Sequence, residues 1–261
     1  MMRTLISTPD QPWLAPPETL PLRKGEVHVW RGIVDIPSAA LQVFETVLSP
    51  DERERAHRFR FPQHQQRFIA ARGMLRSLIS RYLHIQPEKI KLGLGPQGKP
   101  FVENTGRSPL YFNVSHSQKI AVFAFSPDFE VGIDVEGPQP RMDYHGVASR
   151  VLSNQEQQWI QDLPESRKKS ALLTAWARKE AFVKAIGTGL AFPLRNLTVT
   201  LLPEQTPQLV HIDDPSLADK PWTIHALYPR SGYAAALVVA GHTETICLWD
   251  YRQPIHGIET R

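Results

Sequence analysis

The order of helical and strand-like segments predicts an α+β fold for this chain. Two observations carry that reading. Two long helical stretches, 65–83 and 165–186, stand one in each half, and each is accompanied by several short strand-like runs. The element order is that of a duplicated α+β unit, with halves at 1–128 and 129–261, although no repeat is visible as residue identity.

Pro9, Pro12, Pro16, Pro17 and Pro21 mark an N-terminal stretch expected to wrap the surface without regular structure. Residues 26–34 alternate as a strand does, and 37–48 read as a short helix ended by Ser49-Pro50. In 65–83, Phe68, Leu75, Leu78, Ile79, Tyr82 and Leu83 recur at helical spacings, with Arg67, Arg72 and Arg76 along the edge. The apolar run 90–94 leads into the turn Gly95-Pro96-Gln97-Gly98-Lys99-Pro100. Strands are expected at 111–114, 120–125 and 131–135, the last two joined by the turn Ser126-Pro127-Asp128. Ser153 is placed to cap a short helix containing Glu156, and the helix 165–186 stops at Gly187. Strands follow at 197–202, 222–227, 233–240 and 245–249.

The 261 residues suffice for one large or two small cores. A 41% hydrophobic and 21% charged composition is that of an ordinary globular chain, and no apolar run has the length of a membrane span. Residues 1–21 lack an apolar core followed by a small-residue cleavage site, which argues against secretion. The single Cys247 cannot form an intrachain disulfide or a thiolate zinc cluster, so a cytoplasmic location is expected. The net charge of +4 is unevenly spread: residues 51–84 hold eight arginines and three acids, so +5 in that segment. Such a patch suits a nucleic acid, a phosphorylated small molecule or an acidic protein surface, or is a solvated helix face.

Four constellations bear on chemistry. In Val131-Gly132-Ile133-Asp134-Val135-Glu136, strand alternation sends the branched residues into the core and sets Asp134 and Glu136 side by side on the other face. A divalent cation would turn their repulsion into attraction, and hard carboxylate oxygens suit magnesium; the competing reading is two exposed acids on an edge strand. In Trp176-Ala177-Arg178-Lys179-Glu180-Ala181-Phe182-Val183-Lys184, Glu180 and Lys184 share a helix face with Trp176. That is a surface ion pair, or a partly buried Glu and Lys that serve a metal and a phosphate. Asn113-Val114-Ser115-His116-Ser117 offers hydroxyls and an imidazole to phosphate oxygens, or is a polar turn; it lacks nucleophile-elbow glycines. The glycines around Lys99 permit close backbone approach to a ligand, but the spacing is not that of a phosphate loop.

In their order along the chain, Gly98-Lys99-Pro100, then 112–117, 131–136 and 176–184, and in their spacing, the four motifs closely resemble the 4′-phosphopantetheinyl transferase family, in the longer, monomeric branch typified by the activator of surfactin synthetase. The resemblance covers roughly residues 51–194. It implies two similar α+β subdomains in a pseudo-twofold arrangement, with coenzyme A in the cleft between them. It implies a monomer that transfers phosphopantetheine to a serine of an apo acyl- or peptidyl-carrier protein and engages neither nucleic acid nor membrane. By the same resemblance, Asp134, Glu136 and Glu180 would hold magnesium (or manganese), and Glu180, with Glu156 as a second acid, would take the serine proton. Lys184, Ser115 and His116 would meet phosphate oxygens, Arg55, Arg58 and Arg67 the 3′-phosphate, and Gly98, Lys99 and Pro100 the adenine. Two other classes compete: a magnesium-dependent small-molecule kinase, disfavoured by the missing phosphate loop, and a non-catalytic binder using the arginine patch, which leaves the acidic trio unexplained.

Overall fold

The structure, a computed structural model, describes residues 12–103, 109–139 and 142–252; Pro9 lies outside them. The first half runs β1 (Glu26–Ile33), α1 (Ser38–Val47), α2 (Pro50–His57), α3 (Pro62–Leu83), β2 (Leu92–Leu94), β3 (Pro100–Val102), β4 (Tyr111–Ser117) and β5 (Ile120–Ser126). The second runs β6 (Val131–Glu136), α4 (Tyr144–Val151), α5 (Asn154–Gln161), α6 (Glu165–Ile186), β7 (Leu197–Val199), β8 (Leu209–Ile212), α7 (Pro215–Ala218), β9 (Trp222–Leu227), β10 (Ala234–Ala240) and β11 (Thr245–Asp250).

Four layers result. The first sheet has the order β11-β1-β5-β4 and the second β6-β10-β9. β11 pairs in parallel with β1, so the last strand of the chain completes the first sheet. Alternation along each strand gives both sheets two apolar faces. Trp30, Phe123 and Phe125 face α3, whereas Val29, Val122 and Ala124 face the second sheet. Ala236 and Val238 face α6, whereas Ile133, Leu237 and Val239 face the first sheet. Beyond their exposed first turns the two long helices are largely buried: α3 hides Arg76 and α6 hides Arg178 and Lys179.

Two contacts set the geometry of the centre. A Cβ on Gly132 would lie 2.0 Å from the Ala181 oxygen and 2.3 Å from the Ala185 nitrogen, so β6 lies directly on the α6 backbone. The neighbouring edges of the two sheets, β4 and β6, are joined by side chains from alternate residues of β4. Asn113 Oδ1 accepts from the Ile133 N–H at 2.9 Å, Ser115 Oγ donates to Asp134 Oδ1 at 2.8 Å, and Ser117 Oγ accepts from the Gly137 N–H at 3.0 Å.

Several elements differ from the sequence expectation. Residues 50–57 form α2, whose start is a capping box of Ser49 and Glu52 ahead of Pro50. α3 starts at Pro62, three residues earlier than its apolar pattern, because proline suits a first helical turn. β4 continues to Ser117, so Asn113 to Ser117 are its last five residues and not a polar turn. β7 stops at Val199, and the β3, α4, β8 and α7 segments had no pattern long enough to read. Among the described residues, no helix is long and apolar enough to cross a membrane.

Two predictions follow from this packing. Gly132→Ala should cost about 3 kcal/mol or more by forcing β6 off α6; urea unfolding within 0.5 kcal/mol of the parent, on the scale of a neutral surface change, would contradict it. His225 pairs with Leu237 across the inter-sheet face and its buried Nε2 has no hydrogen-bond partner. Burial lowers its pKa to about 4. A depressed folded value means that stability is full above the unfolded pKa and is lost as pH falls from about 6.5 towards 4, where only the unfolded imidazole takes up a proton. His225→Leu should recover about 2 kcal/mol of the stability lost between pH 7 and pH 5. An identical loss in variant and parent would refute the assignment.

Candidate active site

The Gly132 contact turns the same face of β6 that carries Asp134 and Glu136 towards α6, where Glu180 and Lys184 lie one turn apart. Asp134 is 4% exposed, which rules out the edge-strand reading of two solvated acids. Its Oδ1 accepts from Lys184 Nζ at 2.5 Å and from Ser115 Oγ at 2.8 Å, and Lys184 Nζ also donates to Ser115 Oγ at 3.0 Å. Its Oδ2 is buried with no hydrogen-bond partner. Burial, then the negative charge of Asp134, pushes the Glu136 carboxyl up to about 7, against the opposing Lys184 and a Ser117 hydrogen bond. Glu180 is raised by the same two causes, opposed by Lys184 and by a hydrogen bond from Trp176. Asp134 thus disfavours the charge of both glutamates, and it has an oxygen left over.

That is the condition a hard divalent cation relieves, and carboxylate oxygens are the donors it prefers. Among the described residues no three acids, histidines or cysteines stand close enough to make a ready-made metal site. Lys184 Nζ occupies Asp134 Oδ1 in this arrangement.

On one side of the trio lies a cleft of about 510 Å³ lined by Gly95, Lys99, Pro100, Tyr111, Glu130 and Gly187. Gly187 ends α6 in the left-handed conformation, seven residues and about 10 Å along the helix from Glu180. Gly98, also left-handed at φ +82°, turns the chain so that Lys99 reaches back to β6 and α6. Lys99 Nζ donates to Glu130 Oε2 at 2.5 Å, the Val131 carbonyl at 3.1 Å and the Ala185 carbonyl at 3.2 Å.

The arginines are not all alike. Arg67 lies beside His116, whose imidazole is held below its usual range by partial desolvation and by the cations Lys184 and Arg67, with Asp134 opposing. Arg67 is itself fixed by Asp35, with Nε to Oδ1 at 2.8 Å and Nη2 to Oδ2 at 3.3 Å. Arg55 stacks on the Phe68 ring at 5.3 Å, and Arg58 is an exposed partner of Glu54. Arg76 belongs to the core: its Nε meets Glu52 at 2.6 Å, and Nη1 the carbonyls of Pro87 and Ile90. Asp35 holds Arg67 and Trp176 hydrogen-bonds Glu180, yet Asp35 sits in a loop 32 positions from Arg67, with no local pattern to betray it.

Glu156 corrects the expectation of a second acid at the site. Its residue is fully buried. Its oxygens accept from the Ser153 N–H, the Val199 N–H and Lys179 Nζ, at 2.7, 2.7 and 2.5 Å. The side chain has no open face for a substrate proton and instead ties α5, β7 and α6 together. Glu156→Gln should cost about 3–5 kcal/mol by leaving the Lys179 charge buried and unpaired; a variant as stable as the parent in urea would restore Glu156 to the site.

Two family models match. The 4′-phosphopantetheinyl transferase superfamily model covers residues 130–238, and the N-terminal 4′-phosphopantetheinyl transferase model covers 36–128. The chain is similar to the 4′-phosphopantetheinyl transferase HetI of Nostoc sp., with 35% identity over 92% of this chain and 98% of that protein. It is 32% identical, over 60% of its length and 53% of the other's, to the human L-aminoadipate-semialdehyde dehydrogenase-phosphopantetheinyl transferase. A crystal structure of a holo-(acyl-carrier-protein) synthase from Bacillus anthracis aligns with 42% of this chain and 95% of that one, at 21% identity and a TM-score of 0.33.

Proposed function

This chain belongs to the 4′-phosphopantetheinyl transferase superfamily, and on that premise we propose how its residues carry the phosphopantetheine arm of coenzyme A to a serine of an acyl- or peptidyl-carrier protein. The observation that carries the assignment of the site is the trio of buried Asp134 and half-buried Glu136 and Glu180, with the unpartnered Asp134 Oδ2. The reaction is a phosphoryl transfer. The serine oxygen forms a bond to the phosphorus that bears pantetheine, the bridging P–O bond breaks, and 3′,5′-ADP leaves with the electron pair. Such chemistry asks the protein mainly for positioning and charge neutralisation.

The residues divide that work. The nucleotide end of coenzyme A takes the cleft lined by Lys99 and Pro100, beside the turn at Gly98, and these three residues flank the adenine. Arg67, steadied by Asp35, meets the 3′-phosphate with Arg55 of α2 and Arg58 at its C-cap. His116, Ser115 and Lys184 hold diphosphate oxygens. Asp134, Glu136 and Glu180 would hold magnesium, or manganese in its place, which would supply charge neutralisation for the diphosphate. Glu180, part-exposed on α6, accepts the serine proton. The division into halves 1–128 and 129–261 belongs to the same reading, with β11 as the strand that the second half lends to the first. We place the enzyme in the cytoplasm as a monomer, with no nucleic-acid or membrane partner.

Glu180→Gln should lower transfer by about 10²–10⁴-fold, the range of a lost general base, while coenzyme A still binds in a calorimetric titration. Near-parental release of 3′,5′-ADP would remove Glu180 as the base.

A further inference from the structure

We propose that Lys184 is an internal counter-ion that closes the carboxylate trio until the diphosphate of coenzyme A draws it away, so that coenzyme A and the metal bind cooperatively. The inference rests on the assignment of the trio to a metal. It starts from the occupancy of a single oxygen. Asp134 Oδ1 already receives Lys184 Nζ at 2.5 Å and Ser115 Oγ at 2.8 Å. A divalent cation on that oxygen would stand within a few ångströms of an ammonium, and the two positive charges exclude each other in a poorly solvated site. Asp134 Oδ2, on a residue only 4% exposed, has no partner. The carboxylate is therefore half used: neutralised enough to stay folded, with capacity still open.

A second lysine on the same helix shows what a permanent pair looks like. Lys179 contacts Glu156 at 2.5 Å, and both side chains are 0% exposed. The Lys179 ammonium also donates to the carbonyls of Val151 and Leu194, so it has no route out. Lys184, five residues on, makes an equally short contact with Asp134, but its side chain is 28% exposed. Its other partner is the Ser115 hydroxyl, a neutral group. A four-carbon stem with one end open to solvent can swing its charge from one anion to another. The cleft that would deliver the diphosphate begins one turn beyond, at Ile186 and Gly187. When phosphate oxygens arrive, Lys184 exchanges Asp134 for them, and the vacated carboxylate joins Glu136 and Glu180 as a metal ligand. Coenzyme A then raises metal affinity, and by linkage the metal raises coenzyme A affinity by the same factor.

The test is Mn²⁺ binding followed by electron paramagnetic resonance, with coenzyme A absent and then saturating. The parent enzyme should bind Mn²⁺ at least about tenfold more tightly with coenzyme A. Lys184→Met, which keeps an unbranched apolar stem, should bind Mn²⁺ without coenzyme A at least about tenfold more tightly than the parent, and its gain on adding coenzyme A should shrink. Lys184→Gln serves if the methionine variant does not fold. In the parent alone, the affinity for coenzyme A measured with and without Mn²⁺ must change by the same factor. A Lys184 variant that binds Mn²⁺ no more tightly than the parent, or an unchanged coenzyme A gain, overturns the counter-ion role while leaving the transferase assignment intact. A parent that binds no Mn²⁺ even with coenzyme A removes the metal from the trio, and this inference with it.

Discussion

The distance between β6 and α6 governs everything at the candidate site. Gly132 has no side chain, so the strand settles on the helix backbone at Ala181 and Ala185. Two residues further along the strand, on the same face, comes Asp134, and two further Glu136. The helix presents Glu180 and Lys184 at the matching height. Any larger residue at 132 would widen that gap, and a metal or phosphate contact depends on tenths of an ångström. The side-chain bridges from Asn113, Ser115 and Ser117 fix the other flank, so that the trio sits where two sheets and one helix meet.

The two halves solve one packing problem in the same way. Ser49 and Glu52 form a capping box at the start of α2, and Glu52 also grips Arg76, buried in the 22-residue α3. Ser153 and Glu156 form a capping box at the start of α5, and Glu156 also grips Lys179, buried in the 22-residue α6. In each case a helix-capping carboxylate compensates a cation that the long helix carries into the core. This accounts for acidic residues at both positions without assigning chemistry to either.

That repeat explains what could be read from the sequence and what could not. The long helices, the strand bearing Asp134 and Glu136, and the same-face pair of Glu180 and Lys184 follow from periodicity, which is a local property. The stop at Gly187 was equally local. The duplication was legible only in the order of the elements, because in detail it survives as a capping device with differing cations, Arg76 and Lys179, and not as residue identity. Glu156 was misread because an acid in a capping box looks the same in sequence whether its far side meets solvent or a buried lysine. The bridging of β4 to β6 by Asn113, Ser115 and Ser117 had no sequence signal beyond their alternate spacing, because their partners on β6 come to them only through the fold. Asp35 had no signal at all, since its partner Arg67 comes to it only through the fold.

The most direct test of the account is the intact mass of a panel of apo carrier proteins after incubation with this enzyme, coenzyme A and magnesium, with and without a chelator. The account predicts that at least one carrier gains a single phosphopantetheine on its serine, and that the gain disappears with the chelator and with Asp134→Asn. A gain that persists in both would contradict the role given to the trio. No gain on any carrier, together with no binding of coenzyme A, would contradict the transferase itself.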